Sequence, residues 1–165
     1  MSNRVEIMNA KQAEMKIERL AFEIYENNMN EKELILVGLA KRGFEIAILI
    51  QQKIDQLFDI KTKLIALKID KKNPIDCSLD ADMNLDKKSI ILIDDVANSG
   101  RTLLYALMPF LNVIANKIQI AVLVDRKHKS YPISPDFVGL QISTTLQEHI
   151  QVDIEKGKIS GAFIE

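Results

Sequence analysis

The stretch Ile90-Ile91-Leu92-Ile93-Asp94-Asp95-Val96-Ala97-Asn98-Ser99-Gly100-Arg101-Thr102 decides the fold of this chain. Its first four residues are apolar, which is typical of a strand that is covered on both faces in a parallel sheet. Two adjacent acids follow, and small and hydroxyl-bearing residues then lead into a helical pattern. A buried strand, a short polar loop and a helix in this order predict a βαβ unit.

The segments on either side of this stretch repeat the same alternation of strand and helix. Apolar residues recur at helical spacing in three segments, with Asn9 as the cap of the first and Pro109 as a possible kink in the third. Alternation of buried strands and helices predicts an α/β fold with a central, mostly parallel sheet flanked by helices. The predicted elements are helices at Ala10–Asn28, Gly43–Phe58 and Thr102–Val113, strands at Leu34–Val37, Leu64–Ile69, Ile90–Ile93 and Ile118–Val124, and a long loop at Asp70–Lys88.

The last forty residues break this rhythm. Prolines and a glycine punctuate short extended pieces there, which predicts a small irregular hood. The chain ends in two apolar pieces around Glu155-Lys156-Gly157, which indicate a closing β-hairpin. We therefore expect one domain over residues 1–165, with a core at about 30–125 and a hood at about 126–165.

Composition limits the function classes that are open to the chain. The formal net charge of -1 provides no global positive field that would attract nucleic acid or anionic lipid. The single cysteine, Cys77, cannot form an intramolecular disulfide, and the first residues lack the apolar core of a signal peptide. No apolar run reaches the roughly 18 residues needed to cross a bilayer. We expect a cytoplasmic protein without a membrane partner.

Two kinds of polar group follow the central predicted strand. Asp94 and Asp95 leave a buried strand together, so at least one carboxylate needs solvent, a cation or hydroxyl groups as a partner. The small and hydroxyl-bearing residues after them offer backbone amides at a helix start, which suit a phosphate monoester. These phosphate-binding candidates are Ala97, Asn98, Ser99, Gly100, Arg101 and Thr102. A solvated turn with a helix cap is the plainer alternative for the same residues.

The whole stretch from Ile90 to Thr102 resembles the signature of the type I phosphoribosyltransferases. The resemblance implies binding of 5-phosphoribosyl-1-pyrophosphate, with Asp94 and Asp95 as catalytic residues that hold the ribose hydroxyls. It also implies Mg²⁺ as cofactor, near Asp94 and Asp95 through ribose or water. Pyrophosphate would lie on a loop after an early strand, where this chain has Lys41, Arg42 and Gly43.

A later region narrows the resemblance. Leu123 to His128, followed by Pro135 to Leu140, is similar to the base-binding part of the uracil phosphoribosyltransferases that double as pyrimidine-operon attenuators. This similarity implies a base site at Asp125 and Arg126, with Phe137 stacked on the nucleobase and the Val138 backbone reading its polar edge. A buried strand pair is the alternative for Phe137 and Val138.

The chain departs from related families at several positions. Purine phosphoribosyltransferases carry an aspartate where Asn98 stands and a lysine where Asp125 stands. An amide cannot act as a general base near neutral pH, so the purine route is disfavoured. The attenuator proteins carry Tyr-Arg-Asp-Asp where this chain has Lys68-Ile69-Asp70-Lys71. Lys68, Lys71 or Lys72 could substitute for the missing arginine as a point charge, although lysine lacks the bidentate fork of arginine.

Together these patterns predict a uracil phosphoribosyltransferase that forms UMP and pyrophosphate and assembles as a homodimer or higher homo-oligomer. Three alternatives stay open: a pyrimidine-responsive RNA-binding attenuator with weak or no transferase activity, a purine phosphoribosyltransferase, and a nucleotide-binding module without turnover. RNA binding gains no support from the net charge. The cations of the first helix also interleave with acids, as on a salt-bridged exposed face.

Overall fold

A computed structural model describes residues 3–145 and 147–165 of the chain, and in these residues the backbone forms two sheets and three α-helices. In chain order the elements are β1 (Val5–Asn9), α1 (Ala10–Glu26), β2 (Glu33–Leu39), α2 (Ala40–Leu57), β3 (Lys61–Ile69), β4 (Cys77–Leu79), β5 (Ser89–Ala97), α3 (Arg101–Tyr105), a 3₁₀ helix (Met108–Phe110), β6 (Lys117–Arg126), β7 (Phe137–Ile142), β8 (Ile150–Glu155) and β9 (Lys158–Ile164).

The larger sheet has six strands in the order β4-β3-β2-β5-β6-β7. All neighbouring pairs are parallel except β3 and β4, which run antiparallel. The predicted α/β class with a mostly parallel central sheet is therefore confirmed. This order puts β5 in the middle of the sheet, so that the residues at its carboxyl end have neighbours on both sides.

Successive residues of the central strands face opposite sides of the sheet and build two apolar cores. On one side Leu34, Leu36 and Ile93 pack against α1, α2 and the small sheet. On the other side Val37 and Leu92 pack against α3 and the 3₁₀ helix. A strand that is covered on both faces must be apolar throughout, which explains the unbroken apolar run before Asp94.

The strand β5 is longer than the sequence pattern predicts. The predicted strand ends at Ile93, whereas parallel pairing with β6 continues to the pair Ala97↔Asp125. Asp94 and Asp95 are therefore residues of the strand and do not lie in a loop. Backbone hydrogen bonds with the longer strand β6 keep β5 extended past the point where its side chains become polar.

The predicted helix Thr102–Val113 is wrong for most of its length. The α-helix α3 begins at Arg101 and ends at Tyr105, and a 3₁₀ helix follows at Met108–Phe110. Pro109 has no N–H to donate, so the α-helical hydrogen bonds cannot continue through it. The chain turns there instead and returns to β6.

The smaller sheet has the order β1-β9-β8 and is antiparallel. It contains the predicted C-terminal hairpin with its turn at Glu155-Lys156-Gly157, but also β1, which the sequence pattern did not predict. The start of α1 is as predicted, because Asn9 and Gln12 form a reciprocal capping box. The predicted loop after β3 contains the short strand β4.

None of the helices that the described part of the chain forms is both long enough and apolar enough to span a bilayer.

Candidate functional site

Asp94 and Asp95 lie near the carboxyl end of the central strand β5. Their exposed fractions are only 1% and 5%, so both carboxyl groups are largely removed from water. The start of α2 approaches them closely: a Cβ atom on Gly43 would lie 2.7 Å from the Ile93 carbonyl oxygen and 3.1 Å from Oδ1 of Asp94. Gly43 therefore lets α2 pack directly against the carboxylate pair, and a larger residue would push the helix away from it.

The two carboxylates share a partner, the ammonium group of Lys71. Its Nζ atom lies 2.9 Å and 3.1 Å from the two carboxylate oxygens of Asp94 and 3.3 Å from Oδ1 of Asp95. Lys71 comes from the segment after β3, two residues beyond the end of that strand. The contact therefore joins the segment after β3 to the carboxyl end of β5. It also gives the buried carboxylates a counter-charge.

Burial and mutual repulsion separate the pKa values of the two acids. Burial raises the pKa of Asp94 to about 8, and Lys71 opposes this rise. The pKa of Asp95 is lowered despite burial, because Lys71 and a hydrogen bond with Asp94 favour its charged form. Burial alone would lower the pKa of Lys71, but the charges of Asp94 and Asp95 raise it. The three groups thus hold one ammonium, one carboxylate and one carboxyl that retains a proton at neutral pH.

The carboxylate pair does not fit a directly bound Mg²⁺. Magnesium needs several oxygen ligands in octahedral geometry, and it does not share a position with an ammonium group. Asp94 and Asp95 supply two acids at this point, and Lys71 contacts both. Over residues 3–145 and 147–165, no group of three or more His, Cys, Asp or Glu side chains could hold a metal ion.

The predicted phosphate loop follows β5. Gly100 has φ of 87°, a left-handed conformation that a residue with a Cβ adopts only with strain. The Ser99 hydroxyl accepts a hydrogen bond from the Arg101 amide at 3.3 Å. The carbonyl of Ser99 accepts hydrogen bonds from the amides of Ser130 and Tyr131 at 2.9 Å and 3.1 Å. The segment after β6 therefore fixes the shape of the loop.

The predicted pyrophosphate residues separate in the structure. Lys41 lies at the first turn of α2 and lines a cleft of about 980 Å³, together with Lys68, Asp70 and Cys77. Gly43 is buried behind Asp94, as described above. Arg42 acts on Asp153 in β8. The pKa of Asp153 is lowered, mainly by a hydrogen bond from Gln151, and the charge of Arg42 contributes to this lowering. Lys41 therefore faces the cleft, whereas Arg42 acts on the small sheet.

The predicted base residues Asp125 and Arg126 form a polar cluster at the end of β6. Asp125 is 3% exposed and contacts the ammonium of Lys129, which also donates to the Arg126 carbonyl. Gln141 donates to the other Asp125 oxygen at 3.4 Å. Arg126 donates to Oδ1 of Asn98 at 3.5 Å, so the structure joins the phosphate loop to the predicted base side.

The other two predicted base residues have different surroundings. Phe137 is 4% exposed and packs in the apolar core on the α1 side of the sheet, as an ordinary strand residue does. The Val138 side chain packs on the opposite side. The Val138 carbonyl accepts a hydrogen bond from Nη2 of Arg19 at 3.1 Å, and the Gly139 carbonyl accepts another. Arg19 thereby holds the free edge of β7 against α1.

The sequence pattern did not point to three of these contacts. Arg19 is followed by Glu23 at helical spacing and is indistinguishable from an exposed ion pair in sequence. Lys129 follows Asp125 by four residues, a spacing that carries meaning only in a helix. Lys71 is 23 positions from Asp94 in sequence, and only the fold shows which groups it contacts.

Comparison with known proteins gives consistent matches. The phosphoribosyl transferase domain family matches residues 4–155. The bifunctional protein PyrR of Haemophilus ducreyi is 36% identical over 159 residues, covering 90% of this chain and 89% of that protein. The bifunctional protein PyrR of Leuconostoc mesenteroides is 33% identical over 160 residues, covering 92% of this chain and 91% of that protein.

Solved structures with the same fold are more distant in sequence. A hypoxanthine phosphoribosyltransferase of Trypanosoma cruzi superposes with a TM-score of 0.75 at 15% identity, covering 84% of this chain and 82% of that chain. A hypoxanthine-guanine phosphoribosyltransferase of Bacillus anthracis gives a TM-score of 0.72 at 22% identity, covering 97% of this chain and 99% of that chain. At these identities the likeness shows the shared fold.

Proposed function

The chain belongs to the phosphoribosyl transferase domain family, and from that premise we propose that it transfers ribose 5-phosphate from 5-phosphoribosyl-1-pyrophosphate to uracil. In this reaction a bond forms between N1 of uracil and C1 of the ribose, the bond from C1 to the pyrophosphate oxygen breaks, and the N1 proton leaves. The products are UMP and pyrophosphate.

The observation that carries this proposal is the arrangement at the end of β5. A buried pair of carboxyl groups, Asp94 and Asp95, is followed within five residues by a left-handed Gly100 that opens α3. Carboxyl groups suit the ribose diol, and amides around a left-handed turn suit a phosphate. The loop Ala97–Thr102 would then bind the 5-phosphate.

The remaining roles follow from the position of charges around this pair. Lys41, which lines the cleft, would stabilise the leaving pyrophosphate. Arg42 acts on Asp153 of the small sheet and takes no part in this role. Positioning and charge stabilisation are the main demands of the reaction, because its transition state resembles an oxocarbenium ion. Lys129 contacts Asp125, and Arg126 is the last residue of β6. Both would donate to the carbonyl oxygens of the base.

Magnesium stays a prediction of the resemblance. Asp94 and Asp95 do not fit a bound ion while Lys71 lies between them, so none of the steps above relies on a metal.

A direct test measures pyrophosphate release with uracil, hypoxanthine, guanine, xanthine and orotate in parallel, together with thermal stabilisation by 5-phosphoribosyl-1-pyrophosphate. We expect release with uracil alone. Asp94→Asn and Asp95→Asn should each weaken the thermal stabilisation, whereas the control Asp59→Asn, an exposed carboxylate before β3, should leave it unchanged. Release only with a purine would contradict the base assignment. Neither stabilisation nor release would contradict the proposal as a whole.

A second candidate is a pyrimidine-responsive RNA-binding attenuator, which the similarity to the bifunctional PyrR proteins supports. The surface of α1 does not favour it: Arg19 is paired with Glu23, and Lys53 of α2 pairs with Glu14 and Glu18. Filter binding of a pyrimidine-operon leader at two salt concentrations would test this role, since binding through phosphates weakens steeply with salt. Stabilisation by the substrate without any transfer would instead indicate a nucleotide-binding module.

Two further properties are proposed on indirect grounds. The resemblance supports a homodimer or higher homo-oligomer, and the exposed Met15 and Phe22 on α1 are available for such contacts. The single cysteine, Cys77, supports a cytoplasmic location and is unpaired in this structure.

A further inference from the structure

Lys71 places a positive charge at the edge of the carboxylate site. It follows β3 by two residues and contacts both acids of β5. A cation at this point repels a metal ion that would approach Asp94 and Asp95.

The ammonium group of Lys71 directs its hydrogen-bond donors at Asp94 and Asp95. An ammonium has three N–H donors, and Nζ lies within 3.3 Å of three oxygens that belong to two side chains. These oxygens belong to groups that are almost fully buried, and the Lys71 side chain itself is only 39% exposed. The lysine thus occupies the space in which a cation would contact both acids.

The backbone around Lys71 is held in place from two sides. Asp70 accepts a hydrogen bond from the Lys72 amide at 2.9 Å, and the Asn73 amide donates to the Asp70 carbonyl at 3.1 Å. Arg101 of α3 donates to the Lys72 carbonyl at 3.0 Å. Lys71 therefore sits in a fixed turn that is tied to the helix after the phosphate loop, and its ammonium is directed at the acids by the fold.

The positive charge of Lys71 already acts on both acids. Its Nζ atom lies 2.9 Å and 3.1 Å from the oxygens of Asp94 and 3.3 Å from Oδ1 of Asp95. A divalent cation would have to displace the ammonium into solvent or lie against it, and both cost electrostatic free energy.

We propose that Lys71 is a built-in substitute for a divalent cation at Asp94 and Asp95, so that this chain holds the ribose of its substrate at these acids without a metal ion. Lys71 is a positioning residue in this assignment, because it acts through the two acids. The exclusion of a metal ion depends only on the contacts of Lys71 with Asp94 and Asp95. The statement that the ribose is held without a metal ion rests in addition on the proposed function.

The test uses Mn²⁺ as probe, since it is paramagnetic and takes oxygen ligands as Mg²⁺ does. Binding is measured by electron paramagnetic resonance with wild type, Lys71→Asp, Lys71→Met and the control Lys72→Met. Lys72 is the exposed neighbour, and its side chain has no contact with the acids. Thermal melting with and without Mn²⁺ is recorded for each protein, and circular dichroism shows whether each variant is folded.

We expect wild type and Lys72→Met to bind no Mn²⁺ at the pair and to melt at the same temperature with and without it. Lys71→Asp should bind Mn²⁺ at concentrations about tenfold or more below any at which wild type shows binding, because it presents three carboxylates. Lys71→Met should melt at a lower temperature without the ion and recover with it. Wild type that binds Mn²⁺ as tightly as the variants, or folded variants that do not bind it, would overturn the proposal.

A second measurement separates this proposal from the proposed function. Thermal stabilisation by 5-phosphoribosyl-1-pyrophosphate is compared in chelator and in Mg²⁺. Wild type should show the same shift in both, and Lys71→Asp should need Mg²⁺ for its shift. Absence of a shift in every protein would contradict the proposed function and leave the Mn²⁺ result to decide the role of Lys71, whereas a wild-type shift that vanishes in chelator would overturn that role.

Discussion

At the scale of the residue, Asp94 is the group whose surroundings have the largest effect on its chemistry. It is buried at the end of a central strand, beside a second acid, and Lys71 only partly offsets the cost of its negative charge. The proton that Asp94 keeps gives the site one carboxyl donor and one carboxylate acceptor. Such a pair can both donate to and accept from a diol, which two carboxylates cannot.

This raised pKa makes stability depend on pH. The unfolded chain releases the Asp94 proton near 3.8, whereas the folded chain keeps it to about 8. The folded state therefore binds more protons in this interval, and the free energy of unfolding should fall with rising pH, by at most about 1.4 kcal/mol per pH unit. Asp94→Asn carries no charge, so it should flatten this slope in urea titrations between pH 5 and 8.

Asp95→Asn is the matched control. The pKa of Asp95 is lowered in the folded chain, so its ionised form stabilises the protein above 3.8, and this contribution is lost as the pH falls below that value. Its replacement should lower the free energy of unfolding at pH 7. Because the charge of Asp95 helps to raise the pKa of Asp94, Asp95→Asn should also flatten the slope above pH 5, but less than Asp94→Asn does. Equal slopes for wild type and Asp94→Asn would show that Asp94 is ionised throughout.

The sequence pattern identified Asp94 and Asp95 because an acidic pair after an apolar strand is a local signal. It could not reveal that Lys71 would contact them, since these residues are more than twenty positions apart and only the parallel pairing of β3, β2 and β5 brings them together. Phe137 shows the opposite case. A motif suggested contact with a base, and the fold buries the ring in a core that period-two patterning predicts equally well.

At the scale of the element, strands were easier to predict than their ends. The apolar runs located β2, β3, β5 and β6, because strands inside a parallel sheet are covered on both faces over most of their length. Of these, β3 also carries the exposed residues Lys61, Lys63 and Lys68. The end of β5 could not be read in the same way, since pairing with β6 carries it through two acids. The short α3 was missed because helical spacing continues past Pro109, although the backbone cannot.

The turn at Gly100 provides a test of the phosphate loop. A Cβ on Gly100 would lie 2.8 Å from Cγ2 of Ile133, and the residue has a positive φ. Gly100→Ala should therefore cost about 1–2 kcal/mol of backbone strain and in addition displace the segment after β6 from the loop. We expect thermal stabilisation by 5-phosphoribosyl-1-pyrophosphate to be lost.

Gly157→Ala separates strain from the clash. Gly157 also has a positive φ, of 75°, but an added Cβ would meet no atom within 4 Å, and the residue lies in the hairpin turn between β8 and β9. This variant should lose a similar amount of stability and keep its ligand-induced shift. In the double variant Gly100→Ala with Ile133→Ala the clash is removed, and part of the shift should return. A Gly100→Ala protein with a normal shift would show that the loop does not bind the phosphate.

At the scale of the whole molecule, β1 joins the two sheets. It pairs with β9 in the small sheet, and its residue Met8 is 1% exposed in the same apolar core as Leu36 and Ile93 of the large sheet. Its few apolar residues carry no long periodic pattern, which explains why sequence analysis missed it. The hairpin therefore shares a core with the parallel sheet and does not pack as a separate unit.

A shared core predicts that the chain unfolds as one cooperative unit. Met8→Ala removes buried side-chain atoms at the junction and should cost about 2–5 kcal/mol. The control Val5→Ala changes an exposed residue, 56% accessible in the same strand, and should cost less than about 0.5 kcal/mol. Hydrogen exchange read by mass spectrometry should show that Met8→Ala lowers the opening free energy equally in peptides from β5 and from β8 and β9. Faster exchange in the hairpin peptides alone would mean that the hairpin of β8 and β9 opens independently. In that case the segment between β6 and β7, which shapes the phosphate loop through Ser130 and Tyr131, would have to be stable without the hairpin.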